Sequence, residues 1–202
     1  GHCEYCKSGR YNLCPDMQFI SCPPYQGAMR NYLTHPAHLV YPLPENVSTL
    51  EGALIEPLCV GMHAANLGGV KLGDTVVILG AGCIGLTTLA ACKAMSASKI
   101  IVTDLFQNRL DKALEMGADY AINGREEDTL ARVMELTGGM GAHIVFETAG
   151  NRVTAAQTES LTRRGGTIVI VGNVMGDTPM NFYKIAHKEL VIKTVHRYRN
   201  VF

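Results

Sequence analysis

The sequence predicts an α/β fold: a doubly wound parallel sheet of six strands with helices on both faces, preceded by part of an irregular β domain. Three observations carry that expectation. From Thr75 onward, short apolar runs alternate with stretches of helical period. The first of those runs ends in a glycine-rich turn, Gly80-Ala-Gly-Cys-Ile-Gly85, that opens a helix-like stretch. Before Glu56 the pattern changes to short extended runs broken by prolines.

The expected strands are Val76–Leu79, Ile100–Thr103, Tyr120–Asn123, His143–Thr148, Thr167–Val171 and Leu190–Val195. They are short and almost continuously apolar, as strands become when helices cover both sides of a parallel sheet. Between them, Leu86, Leu89, Ala90 and Lys93 follow i, i+3, i+4 spacing, as do Leu110, Ala113 and Leu114, and then Leu130, Val133 and Met134. Asn108 and Asp128 are the expected helix N-caps, and Gly117 and Gly138 the expected stops. Such alternation of strands and crossovers makes a complete doubly wound domain.

Upstream, Gly27-Ala-Met-Arg-Asn-Tyr-Leu33 and Leu39-Val-Tyr-Pro-Leu-Pro44 are read as pieces of an irregular β domain. A helix is expected to open after Asn46, with Ser48 as its cap and Glu51 completing a capping box. The domain boundary is placed near Glu56-Pro57. This divides the chain into 1–57, 58–197, and a short 198–202 segment that starts back toward the first domain.

Composition narrows the function classes. The chain has 202 residues, 47% of them apolar and 18% charged, which suits a globular chain with a buried core. Lys+Arg and Asp+Glu number 18 each, with no charge block. Neither nucleic acid nor a membrane surface is therefore the expected partner. The uncharged stretch from Thr75 to Cys92 has the length of a membrane span, but the glycine turn splits it into strand and helix. No signal peptide is visible. Seven cysteines in so aliphatic a chain suggest thiols in a reducing, cytoplasmic compartment more than disulfides. The start at Gly1 inside a cysteine motif, and the stop at Phe202 just after a strand, read as truncation at both ends.

The glycine turn carries the first chemistry. Gly80 allows the tight exit from the strand, Gly82 lets the backbone approach a pyrophosphate, and Gly85 lets the helix pack against the sheet. The first helical N–H groups then face the phosphates. Asp104, at the end of the second strand, has the spacing of the acid that accepts hydrogen bonds from adenosine ribose hydroxyls. It would repel a 2′-phosphate and so favours NAD over NADP.

The second signal is Cys3-x2-Cys6-x7-Cys14, thiols in one short run at the spacing of a structural zinc site, which takes four ligands. Three thiols that hold no metal are the alternative. Cys22, beyond Pro15 and an apolar stretch, makes a poor fourth ligand. Cys59, Cys83 and Cys92 read as small apolar residues in packed elements.

Taken together, the lobe Gly1–Cys14, the stretch Glu51-Gly-Ala-Leu-Ile-Glu-Pro-Leu58, the turn Gly80–Gly85 and the terminal Arg197-Tyr-Arg-Asn200 resemble zinc-dependent medium-chain alcohol dehydrogenases. The resemblance is to their polyol branch, the sorbitol (L-iditol) and xylitol dehydrogenases, and it covers essentially the whole chain. It implies a Rossmann domain after part of a GroES-like catalytic domain. Cys3, Cys6 and Cys14 match the last three of four structural-zinc ligands, and the first would precede Gly1. It also implies a catalytic zinc whose Cys and His-Glu ligands lie upstream of Gly1. Glu56 matches the acidic position beside that metal, where it binds the metal or its water and contacts substrate; a glutamate on a helix surface is the alternative. Arg109 matches a residue at the adenosine end, and its charge weakens the discrimination against NADP. Ile84, Val171, Gly172, Asn173, Val195 and His196 would line the cofactor cleft, or pack the sheet in the ordinary way. Arg197 and Tyr198 match the pair that contacts substrate at the nicotinamide end, and a guanidinium and a phenol suit a substrate with several hydroxyls. Arg197 also counts among the cofactor contacts.

The implied activity is NAD-dependent oxidation of a polyol secondary alcohol to a ketose, in a homo-oligomer that by resemblance is a tetramer. The rival readings are threonine, butanediol or simple alcohol dehydrogenases of the same fold, and a nucleotide-binding module without catalysis.

Overall fold

A computed structural model describes residues 1–201. Its internal contacts divide the chain into Gly1–Glu56 and a second unit from Pro57 onward.

The first unit is built of turns. It contains the one-turn helix α1 (Glu4–Lys7) and two 3-10 turns, Tyr11–Leu13 and Ala37–Leu39. The extended runs expected at residues 27–33 and 39–44 form no strand among the described residues. An extended run becomes a strand only where a neighbouring segment takes its N–H and C=O groups, and no such pairing forms here. Helix α2 (Thr49–Gly68) begins with the expected capping box: the Ser48 backbone N–H and hydroxyl donate to Glu51 Oε2 at 2.8 and 2.7 Å, and Glu51 N–H donates to Ser48 Oγ at 3.2 Å. Glu56-Pro57 does not end this helix. Pro57 lies inside it, at the cost of the one N–H that a proline lacks.

The second unit continues from α2 through β1 (Thr75–Leu79), α3 (Cys83–Ala94), β2 (Lys99–Asp104), α4 (Gln107–Glu115), β3 (Tyr120–Asn123), α5 (Thr129–Leu136), β4 (Ala142–Glu147), α6 (Arg152–Leu161), β5 (Thr162–Ile170), α7 (Phe182–His187) and β6 (Val191–Thr194). Among the described residues the strands form one parallel sheet in the order β3-β2-β1-β4-β5-β6. The order reverses between β1 and β4, the switch point where doubly wound sheets bind ligands beyond the strand C-termini.

Both faces of the sheet are dry. Val76 and Ile78 of β1 pack with Ala64, Ala65, Leu89, Cys92 and Phe146 on one side. Val77 and Leu79 pack with Ile122, Val133, Val145 and Leu161 on the other. Burial on alternate sides of a single strand explains why its sequence is continuously apolar.

Two expectations need correction. Asn108 does not cap α4; the helix starts at Gln107 with Phe106 in the cap position. The Asp104 carboxylate already takes the Leu105 and Phe106 N–H groups, at 2.7 and 3.1 Å, and so settles the turn two residues earlier. Strand β5 starts at Thr162, not Thr167, because Thr162 pairs with Ala142 before a register shift re-forms the ladder at Ile144 and Thr167. The glycines Gly165 and Gly166 lie in that irregular stretch, Gly165 with a positive φ. Asp128 does cap α5, accepting from Ala131 N–H at 2.7 Å, and Gly117 and Gly138 follow the last residues of α4 and α5 with positive φ.

Candidate functional site: a nucleotide cleft and a thiol cluster

The glycine turn joins β1 to α3 at the switch point. Gly80 has φ +106°, and a side chain there would press on the Ala149 backbone at 3.0 Å. A Cβ on Gly85 would overlap the Gly80 carbonyl oxygen, so α3 approaches the turn as only glycine permits. Gly82, in the cap position of α3, has open space where its Cβ would be, the room that a pyrophosphate needs against the helix N-terminus. The turn is tied down by Thr148, whose hydroxyl donates to the carbonyls of Leu79 and Gly80 at 2.9 and 3.0 Å.

Asp104 sits beside this turn, its side chain only 7% exposed. Besides Leu105 and Phe106, the Ala81 N–H donates to its Oδ2 at 2.7 Å, so the carboxylate fixes the glycine turn as well as ending β2. The expected acceptor of ribose hydroxyls is therefore already in use by the backbone, and it is pre-aimed in consequence. A carboxylate has about four lone-pair sites and three are engaged, which leaves capacity for a ligand. The Arg109 guanidinium lies 3.7 Å from Oδ2 and also over the Phe106 ring, 4.9 Å from its centroid.

Across the switch point from Asp104 opens a cavity of about 290 Å3, lined by Ile84, Thr148, Ala149, Gly150, Val171, Gly172 and Asn173. Ile84, Val171, Gly172 and Asn173 are thus brought together on its wall. Val195 is not among them; it packs against the core, with its N–H donating to the Ile170 carbonyl at 2.9 Å. His196 is exposed, and Arg197 and Tyr198 are half-buried in the segment after β6, where Arg197 takes the left-handed φ of +57°. Cys59 of α2 donates its thiol to the Val201 carbonyl at 3.7 Å, holding that segment's far end. Thr148, Ala149 and Gly150 were missed in the sequence. Their signal was a second glycine turn, closing β4 as Gly80–Gly85 closes β1.

In the first unit, Cys3, Cys6 and Cys14 bring their sulfurs within 4.8 Å of one another, with Cys3 and Cys14 at 3.8 Å. Tetrahedral zinc with Zn–S near 2.3 Å sets its sulfurs about 3.8 Å apart, so the thiols fit three corners of such a site. The Cys6 backbone N–H points at Cys3 Sγ from 3.4 Å and holds that thiol below the usual cysteine range, while the neighbouring Cys3 and Cys14 sulfurs push Cys6 above it. Glu56, exposed on α2, belongs to no comparable group of ligands among the described residues. A catalytic zinc takes about three protein ligands, so these residues do not by themselves hold one.

Comparison with known proteins agrees with this geometry. Residues 83–202 match the family model of zinc-binding dehydrogenases, and residues 1–45 that of the alcohol dehydrogenase GroES-like domain. The chain is 54% identical over 201 residues to an uncharacterized zinc-type alcohol dehydrogenase-like protein, YdjJ, of Escherichia coli, covering 99% of this chain and 58% of that protein. It is 43% identical over 203 residues to sorbitol dehydrogenase of Bacillus subtilis, covering 100% and 58%. A crystal structure of an Escherichia coli oxidoreductase of unknown specificity superposes with a TM-score of 0.96 at 53% identity, covering 99% of this chain and 58% of that one. Other similar structures carry NADP or NADH. The chain thus spans under three-fifths of the length of these relatives. NAD(P) and zinc are the cofactors of the group, and no helix of the described residues is long and apolar enough to cross a membrane. With family models matched across both of its units, the chain belongs to the zinc-type medium-chain alcohol dehydrogenases.

Proposed function

We propose that this chain is the cofactor-binding and structural-zinc portion of an NAD-dependent polyol dehydrogenase of the sorbitol type, which moves hydride from a secondary alcohol to nicotinamide. The observation that carries the reading is Arg197-Tyr198. The pair follows β6 at the edge of the nucleotide domain, in a chain 43% identical to a sorbitol dehydrogenase. A guanidinium and a phenol offer several donors and an acceptor to a chain of hydroxyls, which a simple alcohol would leave unmatched.

In this reading Gly80, Gly82 and Gly85 let the pyrophosphate settle on α3, while Asp104 holds the adenosine ribose. Ile84, Val171, Gly172 and Asn173 enclose the nicotinamide half, with Val195 and His196 at its edge. Zinc, when bound in the complete enzyme, supplies the Lewis acidity that lowers an alcohol's pKa. This chain contributes Glu56 toward that site, and Arg197 and Tyr198 orient the polyol. Cys3, Cys6 and Cys14 hold the structural metal. Among the described residues, β6 leaves its outer edge and the side chains of Val191 and Ile192 open, which suits a homo-oligomer.

The test is a substrate panel on the chain completed to the length of its relatives. Sorbitol and xylitol should be oxidised with NAD at least about tenfold more efficiently than threonine, 2,3-butanediol or ethanol, a difference of about 1.4 kcal/mol in transition-state binding. A better rate with threonine or butanediol would reassign the substrate and leave the cofactor reading intact.

A further inference from the structure

Glu147 ends β4 and is completely buried, although the chemistry described so far gives it no part. Its Oε1 accepts from the Gly150 N–H at 2.9 Å and from the Thr154 hydroxyl at 2.6 Å. Its main-chain carbonyl accepts from the Val171 and Gly172 N–H groups, each at 2.9 Å. Its Oε2 has no hydrogen-bond partner among the described residues, and lies 2.6 Å from where a Cβ on Gly172 would stand. A buried oxygen without a donor is costly. An aliphatic side chain, as at the end of β1 or β5, would avoid that cost, so core packing does not explain a carboxyl group at this position.

What the carboxyl group does touch is the cavity wall, from behind and on both sides. One side is the turn Thr148-Ala149-Gly150, held through Gly150 N–H and, one helical turn into α6, through Thr154. The other is Gly172-Asn173, which closes on Gly150 so tightly that a side chain at Gly150 would meet the Asn173 N–H at 3.2 Å. These two walls bound the half of the cleft that lies across the switch point from Asp104. In a doubly wound domain the two mononucleotide halves of the cofactor bind on the two sides of that point.

We propose that Glu147 is a positioning residue for the nicotinamide half of the cofactor: by holding the Gly150 turn against Gly172, it sets the width of the cavity that receives that half. The proposal rests on the nucleotide reading of the cleft, and its test separates the two. NADH occupies both halves and AMP only the Asp104 half, so titrating each into the 202-residue chain isolates the wall that Glu147 supports.

E147L keeps close to the size of the side chain and removes the acceptor, and with it the bonds to Gly150 and Thr154. It should raise the NADH dissociation constant about fivefold while AMP binding stays within about twofold. T154V removes one of the two donors to Oε1 and should shift NADH in the same direction by less. T154S returns the hydroxyl and should restore NADH binding. Should E147L fail to fold, the T154V and T154S pair carries the test. Equal weakening of NADH and AMP, or a lower melting temperature with both affinities intact, would overturn the positioning role and leave a merely structural one. An unmutated chain that binds neither nucleotide would refute the nucleotide reading, and the proposal with it.

Discussion

The two units of the chain differ in how much apolar surface they bury. From Pro57 onward, the sheet buries large apolar side chains on both faces: Ile78, Leu79, Leu89, Ile101, Leu110, Phe146 and Leu161 are all buried. In Gly1–Glu56 the one buried residue among those described is Asn12, while Tyr5, Tyr11, Leu13, Phe19 and Tyr32 are exposed. Cys3, Cys6 and Cys14 cluster there instead, the arrangement through which a bound metal would staple the segment. The comparison teaches where each unit's stability would come from in the proposed reading: the nucleotide unit from its own buried side chains, and the cysteine unit from a metal held by its thiols.

The sharpest way to break the nucleotide side of that comparison is Gly85→Val. Its branched side chain would drive α3 off the Gly80 carbonyl, and overpacking of that kind costs about 1–3 kcal/mol or more. NADH binding should be lost below detection, while Gly82→Ala, with open space at its Cβ, should retain the fold and weaken binding only through crowding of the phosphates. Calorimetric titration of both variants reads the difference.

The metal side is tested by Cys6→Ser. It should abolish stoichiometric zinc in the chain and open residues 1–56 to protease, while the melting transition of the nucleotide unit holds its place. Unchanged zinc content by atomic emission would show that Cys3, Cys6 and Cys14 are not the ligands. A chelator should reproduce the effect of the mutation on the unmutated protein.

How much of this was legible in the sequence follows from the same contrast. Periodicity and glycine spacing report on structures that are local or buried, so β1, the turn after it and α3 could be read directly from residues 75–94. The βα alternation pointed to a doubly wound parallel sheet, whereas the order of its strands is visible only in the fold. The unit before Glu56 resisted because its extended runs form strands only if something pairs with them, and a pattern of alternating residues cannot show its partner. Glu147 was passed over for a different reason: an acid in the run Ile-Val-Phe-Glu-Thr looks like a strand end reaching solvent, and only the packing of Gly150 and Gly172 around it shows the carboxyl group enclosed. Asp104 was found, but not its three backbone donors, which depend on how the turn folds back.

Asp104→Ala should have a smaller effect, because it removes a ligand acceptor together with a support of the glycine turn. NADH binding should weaken by about tenfold and the preference over NADPH should narrow, since the repulsion of a 2′-phosphate goes with the carboxylate. Arg109, already within 3.7 Å, would then be free to meet that phosphate. An unmutated chain that binds NADPH as well as NADH would remove the basis of this assignment.

The smallest effect is expected with pH. Burial, and then Arg163, hold His143 below the usual histidine range, and burial, then Arg199, do the same for His63. His143 is neutral in its folded role, with Nδ1 accepting from the Thr75 N–H at 3.0 Å. Because the folded values are lowered, the unfolded chain binds protons first as pH falls. Stability is then complete above about pH 6.5 and declines below it. Melting temperatures at pH 7.5 and 5.5 should show the loss, and His143→Asn should make it shallower.

In the proposed reading the unit from Pro57 onward binds NADH, while Glu56 alone among the described residues does not hold the zinc that alcohol oxidation needs. Both halves are checked on the purified 202-residue protein by titrating NADH through its fluorescence and then assaying the same sample with NAD, zinc and sorbitol. Saturable NADH binding, with NADPH weaker and no turnover, is the predicted result. Absence of NADH binding by the folded protein, or steady oxidation of sorbitol, would overturn this reading of the cleft and of Glu56.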